Sequence, residues 1–234
     1  MPLTYSIDEN FDLGKIETQF QNIFELAIPF LKTRLNLPHT YIVYQYAQLL
    51  LKEEGGSREI ILPACILHDV GWSSIPEDRQ LTAFGPKMKD EVLRRKHELE
   101  GVAIADQILR NLGYDEALIS EIIKIIDGHD TTKEARSSED AITKDSDKLW
   151  RLSPFGFRTD CERFQEDPQS RCKLLLKITD KWFLTQTGKE MAAHEARGRD
   201  REFLDGRYSQ LQHRGNSGPI DNARTPRRST NDDE

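Results

Sequence analysis

Apolar residues recur at intervals of three and four along most of the chain, which is the spacing of one face of an α-helix. Phe20, Ile23, Phe24 and Ala27 give the first example, in a helical stretch from residue 16 to 52 that Pro38 divides into two helices. No stretch shows the alternation of a β-strand and no internal repeat is present, so we predict an all-α fold. Further helices are predicted over residues 58–71, 90–112, 115–128, 167–184 and 188–205.

Breaks in this pattern divide the chain. Residues 73–90 are rich in helix-breaking residues and are predicted to form a long surface loop. Asp115 is a predicted N-cap of the helix over residues 115–128. Residues 131–144 are polar and turn-like, so the helix after them is expected to begin near Asp145. We expect an N-terminal helical segment (1–36), a main domain (37–152), C-terminal helices packed on that domain (153–212) and a disordered tail (213–234) with one large apolar residue.

The charge balance disfavours some classes of partner. The 234 residues carry a formal net charge of −7, whereas an extended nucleic-acid surface needs many lysines and arginines. Local clusters of cations can still bind a small phosphorylated ligand.

No run of 18 apolar residues occurs, and the N-terminus has neither a basic start nor an apolar stretch, so we expect no membrane span and a cytoplasmic location. Three widely spaced cysteines without a CxxC pair are expected to be reduced thiols: Cys65, Cys161 and Cys172.

Four of the six histidines are predicted to face the interior. His68, His97 and His129 each follow apolar residues at helical steps, and His39 lies beside Pro38 at the start of a helix. One such histidine is more often a packed core residue than a ligand. Four together need partners, because each unsatisfied polar group that is buried costs about 1–3 kcal/mol.

A shared metal ion would satisfy several of these imidazoles at once. Metals that activate water accept imidazole nitrogen together with carboxylate oxygen. Asp69, next to His68, can supply such an oxygen, and so can Asp145 or Asp147 farther along the chain. The residues alone leave open which of the last two would bind.

Five segments, in this order, resemble the HD superfamily of metal-dependent phosphohydrolases, which is named after the dipeptide that stands here as His68-Asp69. They are LPHTYIVYQYA, CILHDVGW, KHELEGVAIADQIL, IIKIIDGHD and DSDKLWRL, between residues 37 and 152. The resemblance implies an HD-domain-like helical bundle with a metal site in its core. It also implies the metal ligands. A first ion would be bound by His39, His68, Asp69 and Asp147, with Asp145 as an alternative to Asp147, and a second ion by His97 and His129.

The resemblance implies the chemistry as well. One or two divalent ions per chain (Mn, Mg, Fe, Ni, Co or Zn) would lower the pKa of bound water toward about 7. This water would cleave a phosphate ester of a nucleotide or another small phosphorylated metabolite. The predicted catalytic residues are Asp69, as a ligand shared by two ions, and Lys148, which would contact the phosphate or orient a ligand. Trp72, Arg95 and Lys96 are predicted to contact the substrate, although the two cations can instead form a solvated helix face.

Glu98, next to His97, and Asp130, next to His129, are expected to accept hydrogen bonds from imidazoles and to fix their tautomers. Two other functions stay open. Superfamily members with the same six ligands can hold two irons and use dioxygen, since imidazole suits iron as well as zinc or manganese. The same residues can also serve a nucleotide-sensing module without turnover, and a homodimer is compatible with the sequence.

Overall fold

A computed structural model describes residues 5–85 and 88–204. Over these residues the chain is helical without a β-strand, which confirms the predicted all-α fold. Short 3-10 segments at Leu13–Lys15, Ile28–Leu31 and Val70–Ser74 join some of the helices. The α-helices of the described residues are α1 (Thr18–Ala27), α2 (Asn36–Glu54), α3 (Arg58–Leu67), α4 (Glu77–Gln80), α5 (Glu91–Asn111), α6 (Glu116–Ile126), α7 (Ser138–Trp150), α8 (Pro154–Phe164), α9 (Pro168–Trp182) and α10 (Gln186–Leu204).

Helix α3 is the centre of the fold. Every residue from Ile61 to Leu67 is buried, and α1, α2, α6 and α7 pack around the helix. A helix that is apolar on all sides is stable only when it is enclosed in this way. Its C-terminal end therefore delivers the next two residues, His68 and Asp69, into the interior.

Helix α3 ends earlier than the sequence predicts. Its last residue is Leu67, whereas the prediction extends the helix to Gly71. Gly71 does not end the helix but allows a close backbone contact, because a Cβ atom placed on it would lie 1.9 Å from the carbonyl oxygen of His97. Glycine thus lets the 3-10 segment Val70–Ser74 approach the backbone of α5 closely. This contact brings Asp69 next to His97.

Helix α7 begins earlier than the sequence predicts. It starts at Ser138 rather than near Asp145, and the hydroxyl of Ser137 accepts a hydrogen bond from the N–H of Asp140 at 3.1 Å. The first turns look like a polar loop because they contain charged residues. Two of these are nevertheless buried together, with Nζ of Lys144 3.3 Å from Oδ1 of Asp140.

Other predictions are confirmed or extended. Asp115 caps α6 as predicted, by accepting hydrogen bonds from two backbone N–H groups, and the three cysteines are free and buried. Helix α4 lies in the predicted 73–90 loop, and α8 has no counterpart among the predicted helices. Helix α10 packs on α2, α7 and α9. No described helix is long and apolar enough to cross a bilayer, and the predicted tail (213–234) lies outside the described residues.

Candidate metal centre

Asp69 lies between two pairs of histidines. Its Oδ2 atom is 3.4 Å from Nε2 of His39 and 3.8 Å from Nε2 of His68. Its Oδ1 atom is 3.6 Å from Nε2 of His129 and 3.9 Å from Nε2 of His97. The two oxygens of one carboxylate therefore face two different sets of nitrogen atoms.

The first half of the centre consists of His39 on α2, His68 at the end of α3 and Asp147 on α7. The Nε2 atoms of the two histidines are 3.1 Å apart, and Oδ1 of Asp147 lies 3.2 Å from His39 and 3.6 Å from His68. Nδ1 of His68 is 2.8 Å from the carbonyl oxygen of Cys65. Because a carbonyl only accepts, this contact places the ring proton on Nδ1 and leaves Nε2 with a lone pair.

The second half consists of His97 on α5 with His129 and Asp130 in the turn after α6. The two Nε2 atoms are 3.3 Å apart, and Oδ2 of Asp130 lies 3.7 Å from His97. Nδ1 of His129 is 2.9 Å from the carbonyl oxygen of Ile126, so this ring is oriented in the same way as His68. Asp130 is expected from the sequence to support an imidazole, but its carboxylate joins the cluster itself.

The arrangement fits a cation. In each half, two imidazole Nε2 atoms face one another at 3.1 or 3.3 Å, and two lone pairs at that distance repel unless a proton or a metal lies between them. Imidazole nitrogen with carboxylate oxygen is a donor set of zinc, manganese, iron, cobalt and nickel sites. An Nδ1–H bound to a backbone carbonyl is the usual support of a metal-binding histidine.

Burial and mutual charge shift the protonation of this cluster. Burial raises the pKa of the Asp69 carboxyl, but the surrounding histidines outweigh it and hold the pKa well below its usual range. Burial lowers the pKa of His129, but Asp69 and Asp130 outweigh this effect and raise it to about 10. Burial, and then the charge on His129, lower the pKa of His97 to about 4. The charge of the two aspartates thus favours the protonated form of His129, whereas burial favours the neutral form of His97.

Asp145 and Asp147 have different roles, although the sequence alone does not separate them. The Asp145 carboxylate accepts hydrogen bonds from the backbone N–H of Leu184 and of Thr185 and from the Thr185 hydroxyl, at 2.7–3.0 Å. These contacts fix the link between α9 and α10. Asp147, in contrast, belongs to the first half of the centre.

Lys148, a predicted catalytic residue, forms hydrogen bonds near the same connection between α9 and α10. Its Nζ donates to Oδ1 of Asp145 at 3.2 Å and to the carbonyl oxygen of Trp182 at 2.8 Å. The ammonium group therefore ties α7 to the end of α9. Lys148 also lines a second cavity together with His129, Asp130 and Asp147, and its contact with a phosphate stays a prediction.

The three predicted substrate contacts lie in different surroundings. Trp72 stacks on His97 with ring centroids 4.0 Å apart, and its Nε1 donates to Oδ1 of Asp69 at 3.0 Å. Trp72 therefore orients two residues of the centre. Arg95 pairs with Glu98 and with an aspartate at 2.5 Å, and Lys96 is exposed. Neither cation lines the cavity beside the centre, because successive residues of α5 point in different directions.

The turn that carries His129 and Asp130 is held from two sides. Glu98, which is buried, accepts hydrogen bonds from the N–H groups of Asp130 at 3.0 Å and Thr131 at 2.8 Å. Nζ of Lys144 donates to the carbonyl oxygens of Gly128 at 2.9 Å and His129 at 3.1 Å. Glu98 thus binds the backbone of the turn rather than an imidazole, which corrects the role expected from the sequence.

An open cavity of about 40 Å³ lies beside the centre, and Asp69, Asp130 and Asp147 are part of its wall. The cations of this wall are not evident from the sequence, because they come from a turn and from helix ends that only the fold brings together. The cations are Arg34, Arg151 and Arg163, and the aromatic residues of the wall include Trp72, Phe84 and Trp150.

The family model of the HD domain matches residues 37–182, more than half of the chain. The chain belongs to the HD domain family. The match begins at residue 37, as the predicted main domain does, but extends beyond residue 152 to the end of α9. The HD domain of this chain therefore includes α8 and α9 as well as the five segments that carry the resemblance.

One solved structure shares the fold of this HD-family chain. It is the crystal structure of a predicted HD superfamily hydrolase from an uncultured Thermotogales bacterium, with 18% identity and a TM-score of 0.57. The likeness covers 86% of this chain and 99% of that chain. No curated protein matches the chain.

Proposed function

We propose that this HD-family protein is a metal-dependent phosphohydrolase that cleaves a phosphate ester of a nucleotide or another small phosphorylated metabolite. The observation that carries the proposal is the position of Asp69, with one carboxylate oxygen toward each of two imidazole pairs. Such a ligand set suits two divalent ions that share a carboxylate. The HD family and the clusters of histidine and aspartate side chains support the metal-dependent hydrolase class.

Each half of the centre would hold one ion. The first ion would use His39, His68, Asp69 and Asp147, and the second would use His97, His129, Asp69 and Asp130. When bound, the ions supply a water of lowered pKa and neutralise charge on the reacting phosphate.

The chain's own residues keep these ligands in place. The Trp72 indole fixes Oδ1 of Asp69 by its N–H and covers one face of His97. Trp150 meets the ring of His39 edge-on at 5.0 Å between centroids. Asp130 and Asp147 keep about a quarter of their side-chain surface exposed, with 25% and 23%, and line the cavity. A substrate phosphate would therefore reach the centre from this side, where arginines offset its negative charge.

The test is phosphate release by purified protein from a panel of nucleotides and simple phosphate esters, with Mn, Mg, Fe, Ni, Co or Zn supplied separately. We expect at least one metal to bind in stoichiometric amount and to support release, and a chelator to abolish it. Asp69→Asn is the matched negative control. Bound metal without release from any ester would favour a sensing module, and turnover that needs iron and dioxygen would favour an oxygenase. Either result would reject the proposal.

A further inference from the structure

Arg34 is a half-buried cation without an ion-pair partner among the described residues. Its guanidinium lies 4.4 Å from the ring centroid of Trp72 and 4.1 Å from that of Phe84. One nitrogen donates to Oδ1 of Asn36 at 3.2 Å, and Nε has no hydrogen-bond partner in the described part of the chain. Burial lowers the pKa of Arg34 to about 10, so the group is still charged at neutral pH. This charge lies in the wall of the cavity beside the metal centre.

Three further arginines depend on one buried carboxylate. Asp160 on α8, which has no exposed surface, accepts from Arg151 at 3.0 Å, from Arg163 at 3.4 Å and from Arg171 at 2.9 Å. Arg171 also pairs with Glu166, outside this set. Arg163 donates in addition to the carbonyl oxygen of Arg34 at 3.0 Å, which joins the two groups.

The wall of the cavity contains three guanidinium groups and three carboxylates, and all three carboxylates belong to the metal centre. Of the three arginines, Arg151 and Arg163 share Asp160, which lies behind the wall, and Arg34 has no ion pair among the described residues. The carboxylates of the metal centre do not compensate, because two divalent ions would carry more charge than Asp69, Asp130 and Asp147 together. A buried guanidinium nitrogen without an acceptor, such as Nε of Arg34, is unfavourable. A phosphoryl group is the natural partner of a guanidinium because it accepts paired N–H donors.

We propose that the substrate carries a second phosphoryl group, apart from the reacting phosphate, and that Arg34, Arg151 and Arg163 bind it. The proposal rests on the proposed function, because it places the reacting phosphate at the metal centre. The second group can follow the first directly, as in a nucleoside diphosphate, or can lie elsewhere on the molecule, as in a bisphosphate. Both share the chemistry that the arginines recognise.

The experiment compares three substrates of the metal-loaded full chain: adenosine 5′-monophosphate, adenosine 5′-diphosphate and adenosine 3′,5′-bisphosphate. We expect the wild type to favour one of the two doubly phosphorylated compounds in kcat/KM. Arg34→Gln and Arg163→Gln should each lower this preference roughly tenfold, the loss expected for one charge-assisted contact. Asp160 keeps two arginines in Arg163→Gln, so the fold is expected to persist.

Arg158→Gln is the matched control, because Arg158 lies on α8 but pairs with Glu9 at 3.2 Å and does not line the cavity. It should keep the preference of the wild type. A wild type without preference, or arginine variants that lower kcat/KM equally for all three compounds, would overturn the inference.

Equilibrium binding of the same compounds to the metal-loaded protein separates the two proposals. If no compound is hydrolysed, the proposed function fails. Tighter binding of a doubly phosphorylated compound, lost in Arg34→Gln and Arg163→Gln, would still support the second site. Equal binding of all three compounds would reject it.

Discussion

The two halves of the metal centre contain the same kinds of donor but are held in different ways. In the first half, His39 lies in the first turn of α2 and Asp147 in the last turn of α7, and His68 directly follows α3. These three helices pack on one another in the core. In the second half, His129 and Asp130 lie in a turn whose backbone is held by buried polar groups. Packing thus fixes the first half and His97, while a few individual hydrogen bonds fix His129 and Asp130.

Because the two halves are held differently, we expect them to lose their ions separately. A helix within a core cannot shift one residue without disturbing many apolar contacts. A turn can shift when one donor or acceptor is removed, because the remaining contacts are few. We therefore expect the second half to lose its ion first when the protein is perturbed, and the first half to keep its ion unless one of its own ligands is changed.

The largest effect is expected from Asp69, which belongs to both halves. Asp69→Ala should remove most of the bound metal, and His68→Ala should also do so because it takes a ligand from the packed half. The melting temperature should fall as well, since an ion present at about 100 times its dissociation constant stabilises the folded state by about 2.7 kcal/mol. Elemental analysis and thermal melts with and without chelator measure both effects.

Asp78→Asn is the control for these variants, because Asp78 is exposed on α4. It should leave metal content and melting temperature unchanged. If Asp69→Ala and His68→Ala kept the metal content of the wild type, the assignment of the centre would be wrong.

A smaller effect is expected from His97, which belongs only to the second half. His97→Ala should reduce the metal content from about two ions to about one per chain, and turnover should fall more than stability does. The ring is fully buried against Trp72, so the substitution also removes packing. His97→Phe restores a ring without a nitrogen ligand and separates the two causes. Metal content equal to that of the wild type in both variants would leave a site with one ion.

The sequence predicts the interior histidines because their environment is local. His68 and His97 follow apolar residues at helical steps, and the order of the segments identifies the family. The choice between Asp145 and Asp147 is not local, since it depends on N–H groups near residue 184 that bind Asp145. The arginines of the cavity wall are equally remote from one another in sequence. Arg34 lies in a turn with φ of 50°, which periodicity does not detect.

The same limit explains the late start predicted for α7. A pattern of hydrophobic and polar positions treats Asp140 and Lys144 as surface residues, whereas the fold buries them as a pair. Buried ion pairs of this kind are invisible to periodicity. Lys144 consequently has no predicted role, although its Nζ contacts the turn that carries two residues of the metal centre.

The smallest effect on metal binding is expected from Lys144, which supports the second half without joining it. Lys144→Met removes the donor that the carbonyl oxygens of Gly128 and His129 share, at 2.9 and 3.1 Å. We expect the free energy of unfolding to fall by about 3–5 kcal/mol, because the substitution leaves the buried Asp140 carboxylate without its partner as well as removing a donor from two carbonyl groups. The affinity for the second ion should fall roughly tenfold or more, as for other residues that position metal ligands.

Calorimetric titration of metal into the metal-free variant distinguishes this positioning role from a general loss of stability. The first ion should bind as in the wild type, because α2, α3 and α7 keep their packing, and only the second binding step should weaken. Lys124→Met is the control, since Lys124 lies on α6 in an exposed pair with Glu121 at 2.6 Å, and such pairs contribute about 0–1 kcal/mol. Equal weakening of both steps in Lys144→Met would show that the halves are not held independently.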